Sequence, residues 1–187
     1  LTVHGLILAA GASTRMGRPK ALLTLENEYF VVGLVRRLVG AGCGTVAVVM
    51  GPHADLIEPH LPADAIGVRH LGWRAGMRSS LRVGVEALPL GPVLLTHVDR
   101  PRIESMTLER LIAAAGEQPV VPCYRGRPGH PVLLPASLRT RLLDTDDLPL
   151  RDLLAPLETR TLHVEDPGVV LNINTPDDYA RLTRSRA

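Results

Sequence analysis

VHGLILAAGASTRMGRPK, Val3 to Lys20, is the stretch on which the fold of this 187-residue chain turns. The apolar run Val3–Leu8 has the length and composition of a buried strand. It passes without a spacer into a loop bracketed by Gly11 and Gly17 and closed by Lys20. In open parallel sheets, ligands gather beyond the carboxyl ends of the strands, and the first strand-to-helix loop is a frequent phosphate site. Glycines at 11 and 17 let the backbone approach an anion without Cβ atoms in the way, with N–H groups turned toward it. Arg15 adds a forked donor, and Lys20 a compact charge able to follow a moving phosphoryl group. Lys20 is the only lysine among 21 basic residues; all the others are arginine. A solvated surface charge is the plain alternative for Lys20, and the arginine bias elsewhere weighs against it. The spacing departs from GxxxxGK[ST], and Ala9 and Ala12 leave only one glycine in a GxGxxG frame.

Outward from this loop, strand-like and helix-like segments alternate. Phe30–Gly42 has apolar residues at helical spacing and ends in glycine, and Thr45–Met50 reads as a second buried strand. Ile66–Leu71 reads as a strand, Ser79–Leu88 as a helix, Pro92–Asp99 as a strand ending on a carboxylate, and Met106–Gly116 as a helix. Pro119–Tyr124 and His130–Pro135 read as strands around an RGRPG turn, followed by short helices near 137–143 and 150–154. Thr161–Asp166 and Val169–Asn174 are expected as two late strands. The last helix has a clear start: Thr175 as N-cap, Pro176 at the first helical position, and Asp178 three residues after the cap. Continuous apolar strands between helices predict an α/β fold: a Rossmann-like, doubly wound, mostly parallel sheet with helices on both faces. One domain over residues 1–187 is expected.

Composition excludes several function classes. A net charge of +2, no basic run longer than Arg36-Arg37, and 3% aromatics argue against a nucleic-acid surface. Cys43 and Cys123 lack CxxC spacing and read as reduced thiols of a cytoplasmic protein, not as a disulfide or zinc site. The longest apolar stretches are strand-sized, so no membrane span is expected. No signal-peptide pattern opens the chain, which begins at Leu1 where Met would mark a true start.

The segment LAAGASTRMGRPK resembles the LAAGxSxRMGxxK signature of the MobA-like nucleotidyltransferases, which build dinucleotide forms of the molybdenum cofactor. Five further segments follow in that family's order: GMRSSL (76–81), HVDRP (97–101), GRPGHPVLLP (126–135), DDLPLRDLL (146–154) and NINTPDDY (172–179). The resemblance implies a Rossmann-like fold of the nucleotide-diphospho-sugar transferase type. It also implies transfer of a nucleoside monophosphate from an NTP to a molybdopterin-type acceptor, with release of pyrophosphate. In-line displacement at the α-phosphorus is mainly charge neutralisation and alignment. Arg15 and Lys20 would hold the triphosphate, and Asp99 and Asn174 would hold Mg²⁺. Leu8, Ala9, Ala10, Gly11 and Gly17 fall in the nucleotide loop, and Gly76 and Ser80 where the family places base and ribose contacts. Gly129, His130, Pro131, Asp147 and Arg151 would lie toward the acceptor. A molybdoenzyme apoprotein is a further partner that the resemblance leaves open.

Alternatives stand beside each of these residues. Asp99 before Arg100-Pro101 can end a strand in a turn, and Asn174 can stop the chain before Thr175. His97, two residues from Asp99, is read as packed or hydrogen-bonded in preference to a metal ligand. Val98 stands where the cytidylyl pattern has glycine, DDLPLR lacks that pattern's glycines, and NIN replaces DID; the asparagines resemble the guanylyl branch. Ala9-Ala10-Gly11 and GMRSSL resemble the cytidylyl branch, and CTP is the expected donor over GTP. Other readings are a sugar-phosphate nucleotidyltransferase on the same fold and a non-catalytic NTP-binding accessory protein for molybdoenzyme maturation. A nicotinamide-dependent oxidoreductase would need the missing GxGxxG and an acidic residue where Met50-Gly51 stands.

Overall fold

The first strand, β1 (His4–Ala9), is buried along its whole length, and its side chains alternate between two apolar cores. Ile7 and Ala9 face one core, while Leu6 and Leu8 face the other. A strand apolar on both faces belongs in the middle of a sheet with helices on each side, and β1 lies there. It pairs in parallel with β4 (Val46–Met50) and with β6 (Val93–His97). These observations come from a computed structural model of the chain, which describes residues 1–144 and 148–184.

Between β1 and β4 run a small antiparallel hairpin, β2 (Thr24–Leu25) and β3 (Glu28–Tyr29), and helix α1 (Phe30–Gly40). The short helix α2 (Ala54–Ile57) leads to β5 (Ala65–Arg69), the strand at one edge, which pairs in parallel with β4. Helix α3 (Met77–Ala87) returns the chain to β6, and α4 (Ser105–Ala113) leads on to β7 (Val120–Tyr124). After β8 (Arg127–Pro128), strand β9 (Val132–Leu134) inserts between β6 and β7, antiparallel to both. Helices α5 (Arg139–Asp144) and α6 (Leu150–Leu154), strand β10 (Arg160–His163) and helix α7 (Pro176–Arg184) complete the described chain. The sheet order is β10-β7-β9-β6-β1-β4-β5, with β8 paired to β7.

Helix α1 packs with α4 over one face around Phe30, Leu34 and Leu38, and α3 packs with α5 over the other around Leu81 and Val85. Gly84 lets α3 lie close on the sheet, since a Cβ there would stand 2.5 Å from Leu6 Cδ1 and 2.8 Å from Val49 Cγ2. The α/β, mostly parallel, doubly covered sheet predicted from the sequence is the fold observed.

One expected strand is absent. Within 169–174 the chain first finishes a 3-10 turn, Pro167–Val170, and then runs extended without ladder pairing. The turn forms because the Asp166 side chain accepts the Gly168 N–H at 2.7 Å, and Pro167, with no N–H of its own, favours the first helical position. Beyond it the backbone is satisfied by the chain leaving β6. Ile173 N–H donates to the Asp99 carbonyl at 3.0 Å, and the Arg100 guanidinium donates to the Val169 carbonyl at 2.9 Å. Those bonds pin Asn172 and Asn174 beside the carboxyl ends of β1 and β6. Among the described residues no helix is long and apolar enough to cross a membrane, and Cys43 and Cys123 are buried free thiols.

Candidate active site

The loop after β1 is held by Ser13. This residue has φ +53°, a left-handed conformation, and its carbonyl accepts the N–H groups of Met16 at 3.0 Å and Gly17 at 3.1 Å. Gly17, at φ +74°, continues the turn at a conformation that glycine adopts without steric cost. The Ser13 hydroxyl accepts the Lys20 backbone N–H at 3.1 Å, which ties the lysine's backbone to the glycine-bracketed turn. At the root of the loop, Gly51 lies so close to Ala10 that a Cβ there would collide with the Ala10 carbonyl. An imidazole nitrogen of His53 stands 3.0 Å from the Ala12 carbonyl.

Opposite the loop, β6 ends at His97 and places Asp99 just beyond the sheet. The Lys20 ammonium lies 3.1 Å from Asp99 Oδ2 and donates to Asn174 Oδ1 at 2.6 Å. Residues 79 and 154 positions away from Lys20 thus converge on one nitrogen. The Asn172 amide orientation that satisfies its neighbours turns its nitrogen to Asp99, 3.0 and 3.2 Å from the two carboxylate oxygens. Its oxygen then accepts from Asn174 Nδ2 at 2.8 Å, which closes a ring of four side chains. The lysine and aspartate side chains are only 15% and 19% exposed, so water screens this pair less than it would a surface ion pair.

The ring lies in the wall of a cleft of about 390 Å³. Of the nucleotide-side residues expected from the sequence, Leu8, Ala9, Ala10, Gly11, Arg15, Lys20, Gly76, Ser80, Asp99 and Asn174 line it. Gly17 does not; its place is in the turn behind. Gly76 is the N-cap of α3, at φ +106°, and the Ser80 side chain is buried against the Gly76 carbonyl at 3.4 Å. Ser13, His53 and Trp73 also line the cleft, though none was singled out from the sequence, and Asn172, read there only as part of the NIN segment, completes the ring. Ser13 had one legible signal: a short hydroxyl residue between the two glycines, of the kind that hydrogen-bonds nearby backbone.

A second cavity of about 640 Å³ adjoins the first, sharing Leu8, Met77 and His97 with it. His130 and Arg151 line this cavity, as do Arg78, Leu81, Leu95, Val132, Leu150 and Leu154. Gly129 and Pro131 do not line it. Gly129 packs on the Val169 carbonyl, which leaves no room for a Cβ, and Pro131 is buried behind a cis peptide. Asp147 lies outside the described residues. The rings of His97 and His130 meet edge to face with centroids 4.7 Å apart. Burial holds both imidazoles below their usual range; His130 is pushed down to about 3, chiefly by burial, with a proton on neighbouring His97 and the Arg100 charge each opposing its protonation. Both rings are therefore neutral near pH 7, as hydrogen-bonding groups and not as cations.

Among the described residues no three His, Cys, Asp or Glu side chains cluster as a metal site. The donor set available to a cation is one carboxylate and amide oxygens. That set suits a hard, oxygen-seeking ion that takes its remaining ligands from phosphate and water. Asp99 Oδ2 and Asn174 Oδ1 already hold a cation between them, the Lys20 ammonium, so their oxygens are aimed at one position.

Comparison with known proteins agrees with this architecture. Residues 5–162 match the profile of the MobA-like NTP transferase domain. The chain is 24% identical to the molybdenum cofactor cytidylyltransferase of Escherichia coli, over 93% of this chain and 92% of that one. It is 30% identical to the molybdenum cofactor guanylyltransferase of Rhodobacter capsulatus, over 97% and 95%. It is also 32% identical to the nicotine blue oxidoreductase of Paenarthrobacter nicotinovorans, over 76% of each chain. Among solved structures, Rv0371c of Mycobacterium tuberculosis superposes with a TM-score of 0.85 at 26% identity, covering 97% of both chains. A second structure of Rv0371c is a complex with manganese, with a TM-score of 0.80 at 26% identity, over 99% of this chain and 100% of that one.

Proposed function

Because this chain belongs to the MobA-like NTP transferase family, we propose that it transfers CMP from CTP to the terminal phosphate of a molybdopterin-type acceptor, releasing pyrophosphate. The observation that carries the reading is the meeting of Lys20 and Asp99 at 3.1 Å in the wall of a cleft whose other side is the glycine-bracketed loop. A cation and a carboxylate so placed suit a polyphosphate and its counter-ion better than a neutral ligand. The chain acts in this reading as one cytoplasmic nucleotidyltransferase domain, and an apoprotein that receives the product is a further partner.

The chemistry follows from the groups present. An acceptor phosphate oxygen attacks the α-phosphorus, the bond to the bridging oxygen breaks, and pyrophosphate leaves with that electron pair. The attacking phosphate is already ionised, so no general base is needed and neutral His130 is left to shape the acceptor cavity. Arg15 and Lys20 neutralise charge on the triphosphate, and the loop's N–H groups orient it. Gly76 at the start of α3 leaves open space for the base and ribose, with nothing within 4 Å of where a Cβ would stand. Asp99 and Asn174 would hold Mg²⁺, which when bound supplies charge neutralisation at the phosphate oxygens. The acceptor enters from the second cavity, which meets the nucleotide cleft at Leu8, Met77 and His97. CTP is preferred to GTP on the Ala9-Ala10-Gly11 loop and the GMRSSL segment.

The test incubates the protein with Mg²⁺, each α-labelled NTP in turn and reduced molybdopterin acceptor, and scores label transferred and pyrophosphate released. CTP is expected to give the product. Lys20→Ala and Asp99→Ala are each expected to lower turnover at least 100-fold, about 2.7 kcal/mol of transition-state stabilisation, with circular dichroism unchanged. Label transfer from GTP alone would overturn the choice of base. Absence of transfer from any NTP, with consumption of a reduced nicotinamide in the presence of a quinonoid dye, would replace the reading with an oxidoreductase.

A further inference from the structure

We infer that Lys20 is the resident cation of the site, and that a divalent ion enters only when a polyphosphate draws the ammonium away. The inference rests on the proposed function, which places a metal at Asp99 and Asn174, and it adds an order to the binding events. The observation is the closed ring. Asp99 Oδ2 accepts from Lys20 at 3.1 Å and from Asn172 at 3.0 Å, which fills the two lone pairs of that oxygen. Asp99 Oδ1 faces the same Asn172 nitrogen at 3.2 Å. The Asn174 oxygen accepts from Lys20 at 2.6 Å, and its amide nitrogen is spent on Asn172.

A magnesium ion needs these oxygens at about 2.1 Å in a near-octahedral set. It would compete for lone pairs already given to an ammonium and would face a positive charge in a site only 15–19% exposed. Ammonium and metal are therefore alternatives at one position, not neighbours. Asn172 is the positioning residue that makes the position single: it binds Asp99 through nitrogen and Asn174 through oxygen, and so holds Asp99 Oδ2 and Asn174 Oδ1 on the one ammonium. A carboxylate at 172 would present no N–H to Asp99 and would repel it.

A triphosphate in the cleft changes the balance. Its oxygens offer the lysine anionic partners in the loop to which the Ser13 hydroxyl already ties the Lys20 backbone, and they supply the metal's missing ligands. Nucleotide and metal then bind with positive coupling, each raising the affinity of the other by the same factor. Lysine suits this exchange because its ammonium is a point charge on a flexible stem, where an arginine fork would be held in one plane.

The test measures Mn²⁺ binding to the full chain without nucleotide, by the paramagnetic resonance signal of free Mn²⁺. Lys20→Met is expected to bind Mn²⁺ at least five-fold more tightly than wild type, and Lys20→Gln to behave alike. Lys20→Arg, which keeps the charge, is expected to stay as weak as wild type. Adding Asp99→Asn to Lys20→Met is expected to abolish the gain. Equal or weaker Mn²⁺ binding by both neutral variants would overturn the inference, as would a gain that survives Asp99→Asn. Circular dichroism and a thermal melt on each variant identify any that fails to fold, and two neutral variants keep the test decisive. Trp73, the single tryptophan and a cleft-lining residue, reports nucleotide binding separately. A wild-type protein whose Trp73 fluorescence ignores a non-hydrolysable NTP contradicts the proposed function, whereas altered nucleotide binding with unchanged Mn²⁺ affinity contradicts only the exchange.

Discussion

Lys20 and His130 mark the two kinds of side chain in this site, one a charge held ready and the other an imidazole kept neutral. The His130 pKa, lowered to about 3 chiefly by burial, has a consequence for stability. The unfolded chain takes up a proton near pH 6.5 and the folded chain does not until about pH 3, so between those values the unfolded state binds more protons. Stability contributed by neutral His130 is fully present above pH 6.5 and is lost as pH falls toward 3, by up to about 1.4 kcal/mol per pH unit for one such group. His97 is displaced the same way, so its contribution is also lost on acidification. Chemical denaturation from pH 7 to pH 4 is expected to give a shallower loss of stability in His130→Gln than in wild type. Parallel slopes for the two proteins would show that the buried imidazole is not the cause. Residue identities made Lys20 and Asp99 legible as candidates. Their ring with Asn172 and Asn174 was not legible, because an amide's direction is set by neighbours that are remote in the chain.

At the scale of elements, the start of α7 is the feature read most directly from sequence. Thr175 and Asp178 exchange hydrogen bonds in a capping box: Asp178 N–H donates to Thr175 Oγ1 at 3.2 Å, and Asp178 Oδ2 accepts the Thr175 N–H at 2.9 Å. The same oxygen accepts the Asn174 N–H at 3.0 Å, and these bonds, Asn174's foremost, hold the Asp178 carboxyl down at about 2. The cap thus fixes the backbone of a residue in the cation ring. Asp178→Ala removes the acceptor half of the capping box and is expected to lower the thermal midpoint, and to weaken nucleotide binding read at Trp73 in the presence of Mg²⁺. Lost stability with nucleotide affinity unchanged would confine Asp178 to the helix. The preceding segment was misread for a physical reason. Val169–Asn174 alternates like a strand, but Pro167 and the Asp166 side chain start a turn, and Arg100 and Asp99 take up backbone groups that a ladder would have used. Local pattern carries no information about which distant group will satisfy a carbonyl.

For the whole molecule, the order of apolar strands and helices was enough to give the doubly covered parallel sheet, because continuous apolar strands have no other stable home. The antiparallel insertion of β9 between β6 and β7 was outside what alternation can reveal; it sets His130 beside His97 across the sheet's end. The same topology brings the loop after β1, the end of β6 and the Asn172–Asn174 segment to one rim, with the larger cavity adjoining. The proposed function requires that a nucleotide's triphosphate lie between the glycine-bracketed loop and Asp99, with the lysine ammonium on phosphate. A crystal structure of the protein with a non-hydrolysable CTP analogue and Mn²⁺ measures this directly. The expected result is an anomalous manganese peak within coordination distance of Asp99 and of a phosphate oxygen, and Lys20 Nζ withdrawn from Asp99 onto the triphosphate. A nucleotide seated elsewhere, or manganese bound away from Asp99 with the lysine ring intact, would contradict the account.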